Sequence, residues 1–161
     1  MITRRLFLAA APLALAACAS QGIPAGARTT VIMVRHADRA GEVLNSTGLA
    51  RAAAMPALLE DYPLDAIYSP DIARNLETAA PLSEATGLDV TIVPKELAAA
   101  RMTRDFPEGT VIWIGNKGNL RSIWDELGGP GSAPQEYGEV AVLELLDNGA
   151  RRVTRLDLPA G

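Results

Sequence analysis

The 161-residue chain has one cysteine, one histidine and few aromatic side chains, 4% of its residues. A lone cysteine, Cys18, excludes a disulfide within the chain. One histidine, His36, beside that one thiol makes a poor ligand set for zinc, so no metal centre and no cofactor are expected. A basic excess is also missing, since 15 Lys and Arg stand against 19 Asp and Glu. That balance disfavours nucleic acid and anionic lipid as general partners, and any anion site has to be local. The chain has no long hydrophobic run either. The apolar stretch at 6–17 is far shorter than the roughly 20 residues that span a bilayer, so no retained transmembrane helix is expected.

What stands at the N-terminus is MITRRLFLAAAPLALAACAS, in which an Arg pair precedes a short apolar run that ends in small residues, the pattern of an export signal. Within it, Thr3-Arg4-Arg5-Leu6-Phe7-Leu8 resembles a twin-arginine motif, and Leu15-Ala16-Ala17-Cys18 resembles the lipobox of bacterial lipoproteins. Cys18 is then the first mature residue. A lipid on its sulfur anchors the domain to the bacterial cell envelope, facing the periplasm or the exterior. The expected organisation is a signal peptide at 1–17, lipid attachment and tether at 18–28, and one domain at 29–161. Without the signal, 144 residues remain with a net charge near −6, enough chain for one domain with a proper core.

The stretch 30–34, TVIMV, is a continuous β-branched and apolar run of the kind that forms a central strand buried on both faces. Arg35 and His36 fall at its C-terminal end. A helix follows, with Ser46 or Thr47 as its cap and Pro56 as a kink. A short strand is expected at 65–68, then a helix over 69–87 with Ser69 as cap, Pro70 in the first turn, Pro81 as an interruption and Gly87 as the stop. Strands are expected at 89–93 and 110–114, a helix at 120–127, and a closing hairpin around Asn148-Gly149. Strands alternating with helices predict an α/β three-layer sandwich with a mostly parallel sheet flanked by helices. Such sheets bind ligands beyond the carboxyl ends of their strands, where Arg35 and His36 lie.

A lone histidine at a strand end is more often a packing residue than a catalyst, and its neighbours change that balance. A neutral imidazole is a competent nucleophile toward phosphorus, and nearby guanidinium groups favour the neutral form while attracting an anion. In SPDIARNLETA, Ser69, Arg74 and Thr78 recur at spacings of five and four. Arg74 and Thr78 therefore share a helix face, and a helix starting from a strand end brings a second guanidinium to the same rim.

VRHAD, LNSTGLARA and AIYSPDIARNLETAAPLSEATGLDV, resumed in VIWIGNKGNL, resemble the histidine phosphatase superfamily, also called the phosphoglycerate mutase-like family, over nearly the whole mature domain. The resemblance implies a phosphoglycerate mutase-like fold. It also implies a histidine of an Arg-His-Gly motif that attacks phosphorus and is released from phosphohistidine by water. Arg35 and His36 match that motif, with Ala37 in place of Gly, and Arg74 matches the arginine that binds the phosphoryl group. The family's second histidine, which binds the phosphoryl oxygens, is replaced by Asn116, and the chain has no other histidine. Losing such a donor costs on the order of 10²- to 10³-fold in rate. Lys117 offers a positive charge at the next position, in a direction that the sequence does not give, while Gly115 and Gly118 favour reading Asn116 as a turn residue.

The family's acid, which protonates the leaving oxygen, has three candidates here, Asp38, Glu42 and Glu96. Glu96 is the preferred one because it falls where many family members carry the acid, with Asp38 next, although Lys95-Glu96 reads equally as an exposed ion pair. Two functions follow. One is an envelope-anchored phosphatase for phosphomonoesters or related phosphoryl compounds. The other is a pseudophosphatase that keeps Arg35, His36 and Arg74 to bind an anion without turnover. The segments at 97–108 and 128–138 are short and carry no specificity motif, which predicts an open site for a phosphorylated small molecule.

Overall fold

The computed structural model describes residues 28–160. The expected export signal and the expected lipid attachment at Cys18 lie outside them. Twelve elements follow in order: β1 (Arg28–Arg35), β2 (Arg39–Ala40), β3 (Val43–Leu44), α1 (Ser46–Leu58), β4 (Ala66–Ser69), α2 (Ala73–Thr86), β5 (Val90–Ile92), α3 (Lys95–Asp105), β6 (Thr110–Gly115), α4 (Lys117–Glu126), β7 (Glu139–Leu146) and β8 (Arg151–Asp157). Six strands form one sheet in the order β5-β4-β6-β1-β7-β8. β5, β4, β6 and β1 run parallel, while β7 pairs antiparallel with β1 and with β8.

The apolar run of β1 is buried on both sides because successive side chains enter opposite layers. Val31 and Met33 pack with Ala98, Met102, Leu120 and Trp124 of α3 and α4. Ile32 and Val34 pack with Met55 of α1 and with Ala79 and Leu82 of α2. These are the three layers that the alternating sequence implies.

Four local expectations change. Asn45 rather than Ser46 or Thr47 caps α1, its Oδ1 accepting from Gly48 N–H at 2.9 Å. Ser69 ends β4 and donates to the Pro70 carbonyl at 3.0 Å, so the SPDI segment is a turn and α2 starts later with Ile72 at its cap. The segment at 97–108, for which no helix was expected, is mostly α3, which turns Ala98, Ala99 and Met102 into the core. α4 starts at Lys117 instead of 120, because the Asn116 side chain accepts from Gly118 and Asn119 N–H while the Asn119 side chain accepts from Asn116 N–H, a reciprocal cap. The closing hairpin turns at Gly149 with φ +80°, as Asn-Gly predicts.

Candidate active site

The carboxyl ends of β1, β4 and β6 set the rim. His36 N–H continues the sheet pairing past β1 by donating to the Gly115 carbonyl at 2.7 Å. A Cβ at position 115 would run into Asn119 Oδ1 and Trp113 Nε1, so only glycine fits at the end of β6. Thr78 then ties α2 to this segment. Its hydroxyl accepts from Ala37 N–H at 3.0 Å and donates to the Arg74 carbonyl at 2.8 Å, both near the middle of the usual range. Asn75 adds a bond to the Ile114 carbonyl at 3.2 Å. Arg74, one turn before Thr78, is thereby held over the rim.

His36 is only 2% exposed. Its Nδ1 lies 2.9 Å from the Ala37 carbonyl, which can only accept, and its Nε2 lies 3.2 Å from Arg74 Nε, which can only donate. Both partners require the same tautomer, with the proton on Nδ1 and the lone pair on Nε2. Burial lowers the His36 pKa below its ordinary 6.5. The Ala37 carbonyl opposes this, and the charges of Arg35, Arg74 and Arg39 add to the lowering. The ring is therefore neutral at pH 7, with the Nε2 lone pair facing a guanidinium.

Arg74 also meets Glu42 of the β2–β3 turn, Nη1 to Oε2 at 2.7 Å, although the Glu42 side chain is 80% exposed. Arg35 sits against the loop before β7. Its Nη1 donates to the Gln135 carbonyl at 3.2 Å and its Cζ lies 3.8 Å from the Tyr137 ring centroid. The Tyr137 and His36 rings are 5.7 Å apart.

The structure thus brings His36, Arg74 and Glu42 into contact and places Arg35 in the neighbouring residue. The other candidates go elsewhere. Asp38 pairs with Arg51 Nε at 2.8 Å, and Arg51 also donates to the Leu158 carbonyl, so this carboxylate holds the α1 side chain that reaches Leu158. A Cβ at Gly48 would strike the Asp38 carbonyl, which shows how tightly that corner is drawn. Glu96 starts α3 beyond the edge strand β5, 69% exposed and 3.9 Å from Lys95. Asn116 stands at the end of β6, with its oxygen engaged in the α4 cap and its amide N–H₂ as the donor left over. Lys117 pairs with Glu136 at 3.0 Å. Gln135 and Tyr137 were not legible as site residues; the one hint is an aromatic in a Gly- and Pro-rich loop that leads into the strand beside β1. Among the described residues, no group of three or more His, Cys, Asp or Glu is placed to hold a metal ion, and no helix is long and apolar enough to cross a membrane.

A mostly parallel three-layer sandwich with a neutral histidine beside guanidinium groups at its carboxyl rim defines an α/β domain with a positively charged rim. More specifically, the chain belongs to the histidine phosphatase superfamily (branch 1), whose sequence pattern matches residues 27–124. Solved structures share the fold. The protein histidine phosphatase SixA complexed with tungstate aligns with a TM-score of 0.68 at 15% identity, covering 80% of this chain and 96% of that one. Mycobacterial glucosyl-3-phosphoglycerate phosphatase with inorganic phosphate gives 0.59 at 18%, covering 81% and 98%. Phosphoglycerate mutase from Bacillus anthracis str. Sterne gives 0.64 at 14%, covering 84% and 96%. A search of curated protein sequences returns no match to the chain.

Proposed function

We propose that this domain is a phosphatase that hydrolyses phosphomonoesters or related phosphoryl compounds through a phosphohistidine at His36. The observation that carries the reading is the His36 ring itself, neutral, with Nδ1 tied to the Ala37 carbonyl and Nε2 turned to Arg74. The tungstate and phosphate held by two structural neighbours support an oxyanion as ligand.

In the first step, His36 Nε2 attacks phosphorus and the bond to the leaving oxygen breaks, while Arg74 moves its N–H from Nε2 to a phosphoryl oxygen and Arg35 serves a second one. Glu42, the one of the three candidate acids in contact with Arg74, enters the step as the carboxylic acid once Arg74 has turned to the phosphoryl group, and gives its proton to the leaving oxygen. Asp38 and Glu96 have the less favourable placements. In the second step, water attacks the phosphoryl group, its proton returns to Glu42, and phosphate leaves a neutral His36. Asn116 offers one uncharged N–H₂ to the equatorial oxygens, so turnover is slow relative to an enzyme with a second histidine.

A second reading, a pseudophosphatase that binds an anion without turnover, is favoured by one observation: the Asn116 oxygen is engaged in capping α4, and Lys117 is paired with Glu136 instead of supplying the missing charge. Turnover of an aryl phosphate by wild-type protein and by His36→Ala separates the two. The phosphatase reading predicts slow turnover that the substitution abolishes, and the absence of His36-dependent turnover leaves the binding reading.

The export signal and the lipobox-like Cys18 further support an envelope-anchored protein. Arg28 begins β1 at the end opposite the catalytic rim, so a tether joins the domain roughly 26 Å from His36, leaving the site open to soluble substrates.

A further inference from the structure

The loop between α4 and β7 grips Arg35 on two sides. The Tyr137 ring covers the guanidinium at 3.8 Å, and the Gln135 carbonyl takes Nη1 at 3.2 Å. The remaining edge is different. Arg35 Nε is buried and has no hydrogen-bond partner among the described residues. A buried N–H on a charged group without an acceptor is costly, and an arriving oxyanion removes that cost. The ring that covers Arg35 also stands 5.7 Å from the His36 ring, tilted by 59°, so the open guanidinium edge and the nucleophile share one wall.

The loop is itself fastened. Gln135 Nε2 donates to the Lys117 carbonyl at 3.3 Å, Lys117 pairs with Glu136, and Glu139 accepts from the backbone N–H of Gln135 at 3.0 Å while holding Arg155. Tyr137 is therefore carried on a braced segment, and its ring limits the rotamers open to Arg35.

We propose that Tyr137 is a positioning residue for phosphate binding, stacked on Arg35 so that the unpaired guanidinium edge meets a phosphoryl oxygen beside His36. This rests on reading the rim as a phosphate site. The stacked face does the positioning, and the phenol hydroxyl is not needed. Without the ring, Arg35 has to be ordered by the anion each time it binds, at a cost in affinity.

The test is orthovanadate binding measured by titration calorimetry, with melting curves confirming each fold. Tyr137→Leu weakens binding by roughly 3- to 30-fold, the range of a partly desolvated cation–π contact, and Tyr137→Phe stays within about threefold of wild type. In an Arg35→Met background, Tyr137→Leu has no further effect, because it acts through Arg35. Should Tyr137→Leu not fold, Tyr137→Met, which fills the space without a π-face, is read in the same way. Wild-type affinity in Tyr137→Leu, an equal loss in Tyr137→Phe, or additive losses with Arg35→Met would each overturn the proposal. Failure of the wild type to bind vanadate overturns the phosphate-site reading itself, and this proposal with it, whereas binding indifferent to Tyr137 overturns this proposal alone.

Discussion

Asn116→His separates a missing charge from a missing function. The residue stands at the end of β6, where the family resemblance expects a histidine, and its Oδ1 accepts from the backbone N–H of Gly118 and Asn119, each at 3.2 Å. A histidine there gives up this cap. The loss amounts to about 1 kcal/mol, or a fall of roughly 3–5 °C in melting temperature for a domain of this size. Against that loss stands an imidazolium placed where negative charge spreads over the equatorial oxygens, which raises turnover by roughly 10- to 1000-fold with a smaller effect on substrate affinity.

The N-terminus of α4 disfavours a positive charge by about 0.3–1 kcal/mol, so the new histidine protonates below its ordinary range. His36 must stay neutral, and its pKa is lowered as well. The gain therefore grows as falling pH charges the new ring and ends where His36 takes up its own proton. Steady-state aryl phosphate turnover between pH 5 and 8, paired with melting curves, measures both effects. A melting temperature that falls as expected with turnover unchanged at every pH would refute the argument that charge at 116 limits the reaction. So would wild-type turnover already at ordinary phosphatase levels.

Because burial holds His36 below 6.5, the acid limb of kcat/KM lies below that value. The unfolded chain also takes up this proton first as pH falls, so His36's contribution to stability is complete above 6.5 and is lost between 6.5 and the lowered value. A pH–rate profile together with melting curves of wild type and His36→Ala checks both, and an acid limb above 6.5 contradicts the burial argument. Glu42→Gln lowers kcat on alkyl phosphates by roughly 10²- to 10⁴-fold while sparing aryl phosphates with acidic leaving groups, which depart without a proton. Equal losses on both substrate types rule out Glu42 as the acid. Cys18→Ser moves the protein from the membrane fraction to the soluble fraction after processing, and continued membrane association in fractionation removes the lipid-anchor proposal.

The strongest signals in the sequence were those that one residue pattern decides alone. The buried run of β1, the Gly87 stop of α2 and the Asn-Gly turn before β8 all lie where their chemistry requires. α3 was missed because alanines supply two of its three buried positions and give little hydrophobic contrast. Ser69 looked like a cap because its type suits one, yet the sheet claimed it first. At the candidate site, His36 was legible from its place at a strand end and Arg74 from its spacing to Thr78, whose hydroxyl bonds to both Ala37 N–H and the Arg74 carbonyl. Glu42 touches Arg74 only through a hairpin with two-residue strands, too short to leave a periodic signal. Tyr137 meets Arg35 across 102 positions of chain, through a loop whose path depends on where α4 ends. Contacts of that range depend on the whole fold and leave no local pattern to read.

The central claim is that His36 Nε2 carries the phosphoryl group. Wild-type protein mixed with an aryl phosphate, quenched in base because a phosphoramidate hydrolyses in acid, and digested for mass spectrometry tests it most directly. The account predicts a single phosphoryl group on the peptide containing His36, formed within the first turnover and absent from His36→Ala. Turnover that proceeds with His36 unmodified, or that persists in His36→Ala, would contradict it.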